Sequence, residues 1–119
     1  MGYDRKTGWT ATFRGVVVAP LTPLGEGGGL RLELVPQEVE FLLKGGVSGL
    51  MVGGTTSEFI TLDVAERRDV LEAFVRAVDG RAPVIAHIGH VDRRSAGLLA
   101  AHARDVGADA TTAIAPYYQ

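Results

Sequence analysis

The chain has 119 residues, 12 Lys and Arg against 14 Asp and Glu, and a net charge of −2. That length suits one compact domain, and near-neutrality argues against a nucleic-acid or anionic membrane partner. Cysteine is absent, which excludes disulfides, thiolate metal sites and a cysteine nucleophile, while 46% hydrophobic and 22% charged residues match a soluble globular protein.

Residues 1–14 read as a polar leader with scattered aromatics (Tyr3, Trp9, Phe13) and no apolar centre of a secretory signal. No apolar run reaches the roughly 18 residues of a membrane span, so the expected address is the cytoplasm. The domain is expected over 15–119. Its first strand is the unbroken run Gly15 to Ala19, ended by Pro20 and Pro23, with a turn at Gly25 to Gly29. A helix follows, with Pro36 in its first turn, Val39, Leu42 and Leu43 on its buried face, and Gly45-Gly46 at its end.

The second apolar run is Val47 to Val52, closed by Gly53-Gly54, with the strand expected near Leu50–Gly53. Asp63 and Glu66 have the spacing of a capping box, and Val70, Leu71, Phe74 and Val78 share one face of the helix they open. The third strand is Val84 to Ile88. Asp92 caps a third helix with Ala96, Leu99, Ala103 and Val106 on one side, Gly107 ends it, and Ala110 to Ala115 holds the fourth strand. The order β-α-β-α-β-α-β indicates a parallel sheet. Periodicity alone leaves a doubly wound sheet and a half-barrel equally open.

Chemistry concentrates in Gly53-Gly54-Thr55-Thr56-Ser57-Glu58, directly after strand two. Glycines let backbone amides approach a ligand, and neighbouring hydroxyls can hold a carboxylate. A glycine-rich turn whose Thr and Ser cap a short helix fits the same letters. Neither a Walker loop nor a dinucleotide-binding glycine pattern is present. His87 reads more readily as a hydrogen-bonded core histidine than as a catalyst, and Arg93-Arg94 as a solvated face. His87, His90 and His102 have no metal-ligand spacing.

Three segments carry a resemblance: Gly15 to Thr22-Pro23, then Gly53 to Glu58 with Thr61-Leu62 and Glu66-Arg67, then Ala115-Pro116-Tyr117-Tyr118. In this order and spacing the chain resembles the dihydrodipicolinate synthase / N-acetylneuraminate lyase family from Gly15 to Gln119. Ile85 to Gly89 is more similar to the lyase branch. The resemblance implies a fold: the N-terminal half of a (β/α)₈ TIM barrel, four parallel strands with intervening helices.

It also implies roles. Thr55 matches the hydroxyl that joins a proton relay to the reacting centre, and Tyr118 the tyrosine that completes it from an adjacent subunit. Thr56 matches the residue that binds the pyruvate carboxylate, with Gly54 and Ser57 beside it. Ser57 stands where the family usually has glycine, so a left-handed backbone there would be strained. The implied activity is a class I aldolase-type reaction: a lysine forms a Schiff base with pyruvate, and a carbon–carbon bond forms or breaks against an aldehyde. The implied assembly is a homo-oligomer, a tetramer in the family. No cofactor and no metal are implied.

The family's lysine belongs to strand six. This sequence has only Lys6 and Lys44, neither at a strand's C-terminal end. Two expectations of different class follow. Either these residues are the carboxylate-binding half of a pyruvate-dependent enzyme, or they form a non-catalytic half-barrel that folds only by self-association.

Overall fold

The computed structural model describes residues 13–117, so nearly all of the leader expected over 1–14, together with Lys6 and Tyr118, lies outside the described residues. Among the described residues four strands alternate with three α-helices: β1 (Val17–Val18), α1 (Val35–Lys44), β2 (Gly49–Val52), α2 (Val64–Val78), β3 (Val84–His87), α3 (Arg93–Val106) and β4 (Ala110–Thr112). One parallel sheet holds the strands in the order β1-β2-β3-β4. A doubly wound sheet would place β1 between two others, so the sequential order leaves the half-barrel. The strands are shorter than the apolar runs that hold them: β1 keeps two residues of Gly15 to Ala19.

Local signals set the helix ends. The Asp63 side chain accepts the Glu66 N–H at 2.7 Å while Glu66 accepts the Asp63 N–H at 3.1 Å, the reciprocal pair expected at the start of α2. Asp92 caps α3 by accepting the N–H groups of Arg94 and Ser95, and Gly107 ends it with φ +88°. In α1, Pro36 sits in the first turn as expected. The buried face, however, runs through Val35 and Val39, with Leu42 and Leu43 only half-buried.

All three helices pack on one side of the sheet. Leu50, Val52, Val84 and Ala86 point into a single core with Val35, Val39, Val70, Phe74, Val78 and Ala103. An inward, barrel-lumen position for Leu50, Val52 and Val84 would leave them uncovered, yet their exposures are 0, 2 and 3%. Their neighbours Met51 and Ile85 occupy the other face and are half-buried. An unbroken apolar run cannot show which alternate residue faces which layer. No helix among the described residues is long and apolar enough to cross a membrane.

Candidate active site

The segments after the C-terminal ends of β1, β2, β3 and β4 meet at one rim. Thr22 from the first segment donates its hydroxyl to the Ser57 carbonyl at 2.7 Å, and the Ser57 hydroxyl donates to the Pro20 carbonyl at 2.6 Å. These bonds dock the Gly53–Glu58 turn onto the end of β1. The Gly53 N–H donates to the same Ser57 hydroxyl at 3.3 Å. Ser57 is 1% exposed, and its hydroxyl, engaged with Pro20 and Gly53, holds the turn from beneath. Its backbone is not left-handed; the strain expected there falls on Glu58, with φ +58°.

Thr55 and Thr56 stand on the opposite side and are exposed. Among the described residues their hydroxyls have no hydrogen-bond partner, and neither do the backbone N–H groups of Gly54, Thr55 and Thr56. Three successive unpaired amides beside two hydroxyls are a set of donors of the kind that accommodates an anion. Gly54 is buried under them, and a Cβ there would come within 2.9 Å of Met51 Cε. The cavity between the sheet and helices α2 and α3, bordered by Gly53, Arg67, His87 and Leu99, amounts to about 10 Å³, room for no more than one water.

Two buried side chains lie below. Arg67 on α2 is 5% exposed; its Nη1 donates to the Gly89 carbonyl at 2.7 Å and its Nη2 to the His87 carbonyl at 2.9 Å. The His87 ring meets the Gly53 carbonyl through Nδ1 at 3.0 Å and the Ile114 N–H through Nε2 at 3.3 Å. Phe59 packs edge-on against His87 at 4.6 Å and lies under the Arg67 guanidinium at 5.0 Å. Burial, then the adjacent Arg67, holds the His87 imidazole below its ordinary value, with the Gly53 carbonyl opposing. Burial also lowers Arg67, and the nearby Tyr117 phenol pushes the other way.

His87 is thus a hydrogen-bonded interior histidine, as its sequence setting suggests. The motifs in the sequence do not single out Arg67. Helix periodicity does: position 67 continues the Val70, Leu71, Phe74 and Val78 face backwards, so an arginine there must be buried and paired. His102 joins no metal cluster; it pairs with Glu72 on α2 at 2.8 Å, and no group of three potential ligands occurs among the described residues. Arg93 and Arg94 are exposed.

Known proteins share this fold. Among curated sequences, N-acetylneuraminate lyase of Homo sapiens is 38% identical over 108 residues, which is 89% of this chain and 34% of that protein. The 4-hydroxy-tetrahydrodipicolinate synthase of Methanopyrus kandleri is 43% identical over 107 residues, 89% of this chain and 36% of that protein. Among solved structures, N-acetylneuraminate lyase from Mycoplasma synoviae superposes with a TM-score of 0.88 at 34% identity, covering 92% of this chain and 38% of that one. Dihydrodipicolinate synthase from Aquifex aeolicus gives 0.84 at 39% identity, covering 89% and 36%. The chain therefore spans about a third of the length of the curated relatives it matches. The family model for the dihydrodipicolinate synthetase family matches residues 12–119, and with these likenesses in sequence and fold the chain belongs to that family.

Proposed function

We propose that these residues form the carboxylate-binding half of a pyruvate-dependent, Schiff-base aldolase-type enzyme that makes or breaks a carbon–carbon bond between pyruvate and an aldehyde. The observation that carries this reading is the trio of unpaired amides at Gly54, Thr55 and Thr56 beside two exposed hydroxyls. A pyruvate carboxylate accepts from those donors, with Thr56 as its hydroxyl partner. Thr55 then passes a proton towards the reacting centre, and Tyr118, which follows β4 in sequence, completes that relay from an adjacent subunit of a homotetramer. Ser57 contributes by holding the turn in place. The imine needs a lysine at the strand C-terminal rim. Lys44 closes α1, which runs antiparallel to the strands and so ends at the opposite rim; the amine must come from other residues.

Borohydride reduction with pyruvate, read by intact mass, tests the proposal on the complete reading frame that contains this sequence. The expected result is one adduct per chain, on a lysine other than Lys6 and Lys44. Absence of any adduct in that protein would refute the Schiff-base assignment.

A second reading, a non-catalytic half-barrel that self-associates, draws support from the two sheet edges. On the β1 side, Val16, Leu21 and Phe41 are 65, 63 and 74% exposed; on the β4 side, Leu98 and Ile114 are 62 and 45% exposed. Leu21, Pro23, Leu24 and Phe41 border an open apolar groove of about 600 Å³. Surfaces of this kind favour association.

A further inference from the structure

Arg67 and His87 have no part in the roles carried over from the family, yet they are buried polar side chains directly beneath the turn. The pairing of β2 with β3 shows what they do. Leu50 donates its N–H to the Pro83 carbonyl, and the register continues Leu50↔Val84, Val52↔Ala86. In a parallel ladder alternate residues on one strand supply the donors, so the next bond would run from the Gly54 N–H to the His87 carbonyl. That bond is not made. The His87 carbonyl instead accepts from Arg67 Nη2 at 2.9 Å, while Nη1 holds the Gly89 carbonyl at 2.7 Å. A planar guanidinium fork spans two such carbonyls where an ammonium could not.

The imidazole acts from the other side. His87 Nε2 accepts the Ile114 N–H, so it carries no proton, and Nδ1 is the nitrogen that donates to the Gly53 carbonyl. Arg67 Nη2 also lies 3.4 Å from Nδ1; a guanidinium only donates, so beside a protonated Nδ1 this longer contact is no hydrogen bond, and its charge opposes a second proton on the ring. With the Gly53 carbonyl turned down onto the ring, the N–H across the same trans peptide, that of Gly54, points up and away. Gly89 makes the ring position possible: a Cβ there would lie 2.8 Å from His87 Cε1 and Nε2.

We propose that Arg67 and His87 are positioning residues for the carboxylate site, ending the β2–β3 ladder at Val52 so that the Gly54, Thr55 and Thr56 amides stay free for a ligand. The proposal rests on reading that turn as a carboxylate site, and the experiment separates the two.

The isotope-labelled chain is followed by NMR at neutral pH. The expected His87 signature is a neutral ring protonated on Nδ1, and pyruvate is expected to shift the Gly54, Thr55 and Thr56 amides. In Arg67→Met the His87 carbonyl becomes available, so hydrogen exchange at Gly54 slows on the order of tenfold and pyruvate binds about tenfold more weakly. Arg67→Lys, which keeps the charge and loses the fork, behaves like Arg67→Met. His87→Asn, which can still donate to the Gly53 carbonyl, retains pyruvate affinity; His87→Leu loses it. Protection of the Leu50 and Val52 amides reports whether each variant is folded, and the tautomer in the unmodified chain needs no variant. A proton on Nε2 overturns the proposal, as does unchanged Gly54 exchange and affinity in a folded Arg67→Met. If pyruvate shifts none of the three amides in the unmodified chain, the carboxylate reading fails instead, while the tautomer and the exchange at Gly54 still decide the positioning role.

Discussion

Removing the Ser57 hydroxyl should cost this chain about 2 kcal/mol of stability. The hydroxyl donates to the carbonyl of Pro20, itself among the fully buried residues, and accepts the Gly53 N–H. Ser57→Ala leaves that carbonyl buried without a donor, a loss of about 1–3 kcal/mol, and the longer bond from Gly53 adds little. For a chain of this size, 2 kcal/mol corresponds to a fall in Tm of about 8 °C. Ser57→Gly should be worse by about another 1 kcal/mol, because residue 57 has no positive φ and glycine only adds freedom to the unfolded chain. Urea and thermal unfolding at one fixed protein concentration give both differences. The reasoning is refuted if Ser57→Gly equals or exceeds Ser57→Ala in stability, since glycine would then be restoring a conformation that serine resists.

Acid should weaken the fold through His87. Faced by Arg67 from α2, with Tyr117 beyond it, the native imidazole binds a proton only below the ordinary value of about 6.5 that the unfolded chain retains. The unfolded state therefore binds more protons between those two values. Stability is complete above about pH 6.5 and declines as pH falls towards the native pKa. Urea midpoints from pH 8 to pH 5 should show this slope, and His87→Asn should flatten it. The purified chain should sediment as an associated species at tens of micromolar, with Phe41→Ser shifting it towards the monomer; a stable monomer of the unmodified chain would contradict the reading of the exposed edges. In a catalytically complete protein carrying these residues, Thr55→Val should lower kcat by about 10²-fold or more, as loss of a proton-transfer group does; an unchanged kcat would show that the relay belongs elsewhere.

Much of this architecture was legible because it is written locally. A capping box needs only Asp63 and Glu66, and a helix end only Gly107, so neither depends on what packs nearby. The sequential sheet was legible through motif order, since periodicity could not separate it from a doubly wound one. What escaped was tertiary. Val84-Ile85-Ala86-His87 is apolar up to its last residue, and only the helix layer decides that Val84 and Ala86 face it while Ile85 does not. At the rim, Thr55 and Thr56 could be named from their motif, yet Arg67 passed as half of a Glu-Arg pair. Its role arises from two carbonyls on another strand end, about 20 residues away in sequence. By motif Ser57 is a misfit where the family has glycine; its bond to Pro20, 37 residues earlier, makes it a fitted part.

The neighbour-by-neighbour order of the sheet also bears on how the chain folds as it is made. Each strand pairs with the one synthesised just before it, and the longest separation between paired residues is about 34 positions, from Leu50 to Val84. Emerging from the ribosome at about 5–20 residues per second, each new strand meets a partner that is already outside the exit tunnel. The sheet can thus grow at one edge in step with translation, and within these residues no early strand must wait unpaired for a distant one. Loop closures of this modest length keep the entropic barrier to each addition low.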